Sequence, residues 1–130
     1  MSTPFDKTAY ISLRSFKRDG SPVDTPVWSA PLDGKLVLFT LRESFKVKRI
    51  ARNPRVQVAA CTINGKLLGP WHDASCHAVE DQAHESRAYA ALTRKYGMMM
   101  RIGNVLSTLS GRIKRRLVME IALAPQDGAP

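Results

Sequence analysis

Between residues 42 and 55 the chain reads Arg42-Glu43-Ser44-Phe45-Lys46-Val47-Lys48-Arg49-Ile50-Ala51-Arg52-Asn53-Pro54-Arg55, six bases against a single acid. Ser44 is a helix-capping residue type, and Asn53-Pro54 ends what it starts, so the segment is predicted as a short helix from Ser44 to about Asn53. Lys48, Arg49 and Arg52 then share the face opposite Val47, Ile50 and Ala51. The plain reading of such a face is a solvated one. Against it stands position: Lys46 and Lys48 fall in the first turn, where the helix dipole disfavours each cation by about 0.3–1 kcal/mol. Free amides, the Ser44 hydroxyl and misplaced cations together describe a site that a phosphate would satisfy. Neither GxxxxGK[ST] nor GxGxxG occurs, which excludes P-loop and Rossmann nucleotide sites.

A second feature is Thr25-Pro26-Val27-Trp28, which places a proline inside an alternating apolar run. Proline is tolerated in a strand only at an edge or a bulge, so part of this strand is expected to lack ladder pairing. Unpaired backbone beside an indole can receive a flat ring whose polar rim bonds to main-chain groups; the plainer reading is an edge strand with Trp28 in the core. Trp71, after Gly69-Pro70, has the same two readings. No acid–base dyad is visible: Tyr10, His72 and His77 stand alone, and no catalytic residue is assigned. Met98-Met99-Met100 with Ile102 would line an adaptable apolar pocket or pack in the core. Cys61 and Cys76 lack any CxxC or metal-ligand spacing, so no metal is expected and both read as reduced core thiols.

These groups must be positioned by one domain, since 130 residues and 14.4 kDa leave no room for two. A formal charge of +9 and a pI near 10.1 suit anionic partners. No signal-peptide pattern or membrane-length apolar run is present, and a soluble, cytoplasmic protein is expected. Asp19-Gly20, Asp33-Gly34 and Asn64-Gly65 punctuate alternating runs. The predicted strands are Tyr10–Phe16, Pro22–Ala30, Lys35–Leu41, Arg55–Ile63, Lys66–Val79 and Leu117–Leu123, six in an antiparallel meander. Helical spacing is read over Asp81–Tyr96 and Met98–Ile113. Lys35–Leu41 is apolar on both faces, which asks for a helix or another subunit over the second; a homodimer is expected.

Taken in order, Thr25-Pro26-Val27-Trp28, Leu38-Phe39-Thr40, the run from Ser44 to Val56 and Gly69-Pro70-Trp71 resemble the split β-barrel flavin and deazaflavin oxidoreductases. These are relatives of pyridoxamine 5′-phosphate oxidase, and the likeness is to their PPOX-class branch dependent on coenzyme F420. It runs over about residues 8 to 124. The resemblance implies a mainly β, six-stranded FMN-binding-type split barrel with helices (α+β), dimeric, with a cofactor in a groove at each subunit interface. Carried over, it assigns Thr40, Ser44, Lys46, Lys48 and Arg49 to the cofactor phosphate and the backbone of Pro26, Val27 and Trp28 to its ring; Trp71, on its own local reading, is added as a further cofactor-lining candidate. Phe45 departs from the family, where a small residue often stands.

Two cofactors suit that assignment. FMN ends in one phosphate, whereas F420 carries an anionic tail beyond it; Arg52 and Arg55, with Arg112, Lys114, Arg115 and Arg116 if the fold brings them close, extend the positive surface and favour F420. The implied reaction is hydride transfer from the reduced deazaflavin to an electrophilic carbon of a small unsaturated substrate of the biliverdin, quinone or enone type, with solvent delivering the proton. Competing readings are an FMN-dependent oxidase or reductase, a carrier that binds an anionic ligand without chemistry, a nucleic-acid-binding barrel, and a basic segment lying on acidic membrane. The nine scattered aromatics disfavour stacking on nucleic acid, and packing on the barrel explains the apolar face of the basic segment more simply than a membrane does.

Overall fold

The computed structural model describes residues 3–97 and 116–124. Among them, β1 (Tyr10–Phe16), β2 (Pro22–Val27), β3 (Ala30–Leu32), β4 (Lys35–Leu41), β5 (Arg55–Cys61), β6 (His72–Val79) and β7 (Arg116–Leu123) form one antiparallel sheet. Two helices, α1 (Phe45–Arg52) and α2 (Gln82–Tyr96), complete the described elements. The strand order is β2-β1-β5-β6-β7-β4-β3, so the two edges of the sheet are consecutive in the chain. Only Trp28 and Ser29 lie between them. Three Cα steps reach at most roughly 11 Å, whereas seven flat strands would set the edges about 29 Å apart. The sheet must therefore roll up until its edges almost meet, and β2 and β3 leave a split because they do not pair.

Period-2 alternation decides what the roll encloses. The cross-strand partners Ile11 and Val27, Leu13 and Val58, Leu36 and Ile121, and Leu38 and Met119 share one face and one buried cluster, the barrel interior. Ile50 of α1 and Phe5 of the N-terminal segment belong to that cluster. The outer face of β4 is buried too: Val37 is fully covered and packs with Val118, Ala30 and the α2 residues Ala88, Ala91 and Leu92. The expected cover over the second apolar face is thus supplied by a helix of the same chain. Alanines at 88 and 91 let that helix approach the sheet closely. Asp81 caps it by accepting from His84 N–H at 2.9 Å. Arg87 pairs with Asp33 in the β3-β4 turn (2.6 Å), and His84 Nε2 lies 2.8 Å from a Glu120 carboxylate oxygen of β7.

Two differences from the sequence reading have structural causes. The expected strand Pro22–Ala30 is two strands, because the backbone of Ser29 is bonded to side chains of α2 rather than to a neighbouring strand; the strand count is seven, not six. Asp33-Gly34, both with positive φ, consequently turns β3 into β4. The expected strand Lys66–Val79 starts only at His72: after the Asn64-Gly65 turn, Leu67 makes a single bridge to Cys61, and Gly69-Pro70 precedes the ladder. Pro26 does lie on an edge strand, as a proline requires. The predicted helix Met98–Ile113, with its Met98-Met99-Met100 run, and Arg112, Lys114 and Arg115 lie outside the described residues.

Leu92 is fully buried between α2 and the sheet. Truncation by Leu92→Ala is expected to cost about 2–5 kcal/mol in urea unfolding, the range for emptying a well-packed leucine site.

Candidate functional site

The split in the barrel opens into a groove of about 340 Å³ lined by Thr25, Pro26, Val27, Trp28, Phe39, Thr40 and Lys46. Its position follows from the topology: among the described residues β2 pairs with β1 along one side and has no strand on the other, while the part of β4 beyond its pairing with β3 lies across the gap. Thr25 and Val27 point with the interior face of β2, being partners of Leu13 and Ile11. Thr40 continues the interior series Leu36 and Leu38 of β4, and Phe39 the outer one. The groove therefore has one aromatic wall, Trp28 and Phe39, and one polar end, Thr40 and Lys46. Five residues singled out from sequence, Pro26, Val27, Trp28, Thr40 and Lys46, converge there from β2, β4 and α1.

The remaining cationic candidates lie along α1. Its first turn carries no acid. Lys46 is half-buried, and burial, with Arg49 nearby, pushes its ammonium below the usual lysine range. Arg49 is not on a solvated face: its Nε donates to the buried Ser15 hydroxyl at 2.7 Å, tying α1 to β1. Lys48, 5.5 Å from the Phe45 ring, and Arg52 are exposed. Ser44 stands at the N-cap with extended backbone, and its carbonyl accepts from Lys48 N–H, but its hydroxyl makes no capping bond. That oxygen is buried without a hydrogen-bond partner among the described residues. Buried hydroxyls are normally satisfied, so the start of α1 combines an unspent hydroxyl with uncompensated positive charge. Trp71 stands apart from this assembly, with the Arg14 guanidinium 3.8 Å above its ring.

Behind the aromatic wall lies a construction that the sequence reading missed. The last turn of α2 delivers Lys95 and Tyr96 to the split. Tyr96 stacks on Trp28 with ring centroids 4.4 Å apart and planes 8° from parallel. Its oxygen accepts from Ser29 N–H at 3.1 Å and lies 2.8 Å from the Ala9 carbonyl and 3.0 Å from that of Ser29, to which it donates. Lys95 Nζ donates to the carbonyls of Thr8 (2.7 Å), Ser29 (2.6 Å) and, more weakly, Phe5 (3.4 Å). Burial lowers the Lys95 ammonium and raises the Tyr96 phenol to about 12. Helical periodicity shows that α2 exists, but nothing in it says that its last two residues reach a two-residue link sixty-seven positions away.

Phe39 is held from its other side, stacking on Tyr89 at 5.8 Å and lying 4.2 Å below the Arg116 guanidinium. Cys61 and Cys76 are free and buried; burial raises both thiols, Cys76 to about 12, as expected of core thiols. Among the described residues no group of His, Cys, Asp or Glu is arranged to hold a metal, and no helix is long and apolar enough to cross a membrane.

No family model and no curated protein matches the sequence. Solved structures match the fold. A putative pyridoxamine 5′-phosphate oxidase from Listeria innocua is 15% identical with a TM-score of 0.63, over 90% of this chain and 85% of that one. A structure described as an F420 reductase is 14% identical with a TM-score of 0.59, over 93% and 90%. A heme storage protein from Vibrio cholerae is 12% identical with a TM-score of 0.70, over 92% and 84%. The fold is the split barrel of pyridoxamine phosphate oxidase-like proteins, and the sequence resemblance pointed to the same class.

The raised Tyr96 phenol has an observable consequence. The fold holds its proton, so the bonds it makes are intact below about pH 10, the ordinary tyrosine value, and are lost as pH rises through about 12. An ultraviolet phenolate titration is expected to show a step near pH 12 that disappears in Tyr96→Phe.

Proposed function

We propose that this split barrel is an oxidoreductase that binds a flavin-type cofactor in the groove between β2 and β4, and that the cofactor is the deazaflavin F420 in preference to FMN. One observation carries the reading: the free edge of β2 with the adjoining Trp28, and Lys46 brought from α1 beyond β4, line a single groove. A fold alone hosts many functions, as a heme storage protein with the same fold illustrates. The argument therefore rests on what lines the groove.

The residues present suit such a group. A planar ring fits an aromatic wall beside backbone that has no ladder partner, and Pro26, Val27 and Trp28 would hold its polar rim through main-chain atoms. Thr40, Lys46 and the unpartnered Ser44 hydroxyl would take the phosphate, at a helix start that is electrostatically incomplete without an anion. Lys48 supplies exposed charge beside it. Arg49 contributes field, while its Nε is committed to Ser15. Arg52, exposed at the last residue of α1, and Arg55, exposed at the first of β5, continue the positive strip past the place of one phosphate, which supports the cofactor with the anionic tail. When bound, the deazaflavin supplies hydride transfer to an electrophilic carbon of a small unsaturated substrate. The chain's own part is to bind the group, orient it and keep one face against a dry wall; no side chain is assigned the proton, which solvent delivers. The reading includes a homodimer, supported by the exposed apolar side chains of Phe45 (75% exposed) and Leu41 (40% exposed), which adjoin the groove residues Lys46 and Thr40 in sequence.

Parallel titrations with F420 and with FMN, followed by quenching of tryptophan fluorescence at physiological salt, test the assignment. Saturation by F420 at lower concentration than by FMN is expected; the reverse order moves the chemistry to FMN, and no binding of either removes the reading. Lys46→Ala is expected to weaken F420 binding by about 1–3 kcal/mol, the loss for a charge-assisted bond, and Lys48→Ala by less, because Lys48 is exposed and screened.

A further inference from the structure

Trp28 occupies an unusual place. It is one of only two residues joining the two sheet edges, it lies in neither strand, and its indole lines the groove. A side chain on such a link would ordinarily be free to turn. Here its far face is taken by the Tyr96 ring, nearly parallel at 4.4 Å. The backbone of the next residue is fixed twice over: Ser29 N–H donates to Tyr96, and Ser29 C=O accepts from Lys95 at 2.6 Å. The same two side chains reach Thr8 and Ala9 on the segment entering β1. The link between the two edges and the segment entering β1 are thus tied to one helical turn that is not among the groove's lining residues.

We propose that Tyr96 is a positioning residue for the groove: its ring backs the Trp28 indole and its hydroxyl ties the backbone beside the split, so that the indole meets a bound planar ring at a fixed angle. The inference rests on the reading of the groove as a cofactor site. Tyr96 acts through Trp28. Its contribution is preorganisation, since a wall already immobile costs no ordering when the ligand arrives. Lys95 serves the same end by donating to the Ser29 carbonyl in the link and to the Thr8 and Phe5 carbonyls on the segment before β1.

The test uses a Trp71→Phe background, in which all indole fluorescence comes from Trp28. Acrylamide quenching reports how well the indole is held, F420 titration reports affinity, and thermal unfolding reports stability. Tyr96→Leu removes ring and hydroxyl and is expected to raise quenching about twofold and to weaken F420 binding about tenfold, the scale of a lost aromatic pair. Tyr96→Phe keeps the stack and should recover most of both, with affinity reduced by about threefold for the lost ties. Ile121→Val, in the barrel core and away from the groove lining, should lower the unfolding temperature and leave quenching and affinity unchanged. Wild-type quenching and affinity in Tyr96→Leu would overturn the proposal, as would an equal loss in Ile121→Val at matched stability. Should Tyr96→Leu fail to fold, Tyr96→Phe decides, and no change in either readout counts against the ties. If the parent binds neither F420 nor FMN, the cofactor reading fails, while the quenching series still decides whether Tyr96 holds Trp28.

Discussion

A covalent constraint organises this molecule: two residues, Trp28 and Ser29, join strands that lie at opposite edges of a seven-stranded sheet. Twist alone would curl such a sheet, but the short link dictates how far, and it leaves an incomplete ladder where the edges come together. The interior follows from that closure. Residues as far apart in sequence as Leu13 and Met119 become neighbours in one core because the strands that carry them have been rolled around it. The groove also follows, since an edge strand that cannot pair leaves both space and main-chain groups facing it.

Electrostatics then differentiates the two ends of that groove. At one end two aromatic rings are backed by further rings, Trp28 by Tyr96 and Phe39 by Tyr89. At the other a helix starts with lysines where acids would stabilise it, and with a capping residue whose hydroxyl does no capping. Local rules of helix design are broken there while α2 obeys them, with Asp81 at its cap and Arg94 and Lys95 in its last turn. A departure confined to the helix that borders the opening is the pattern expected where stability has been traded for binding.

Much of this was legible in the residues. The turns at Asp-Gly and Asn-Gly, the two-sided burial of Lys35–Leu41, the helix after Ser44 and the edge position of Pro26 follow from spacing and from backbone chemistry that proline and glycine announce locally. The break after Val27 did not show, because Trp28, Ser29 and Ala30 continue a strand pattern and are interrupted only by partners from α2. Arg49 was placed on the solvated face by its helical angle, yet a long side chain can turn inward, and Ser15 gives it a reason to. Lys66 to Trp71 fall in an expected strand although Gly69-Pro70 interrupts the run, and among them only Leu67 makes a bridge. In the first two cases the local signal was sound, and a contact distant in sequence decided the outcome.

The prolines carry a final consequence. Pro22 and Pro26 lie on one free edge of the sheet and Pro31 on the other. Each removes an N–H donor from a strand that has a vacant side, so neither edge offers the regular row of donors and acceptors that an incoming strand needs. A barrel left deliberately unclosed would otherwise invite strand addition by its own kind or by any extended peptide. Neither edge is therefore a ready template for a shared sheet, whether the incoming strand belongs to another copy of this chain or to an extended peptide.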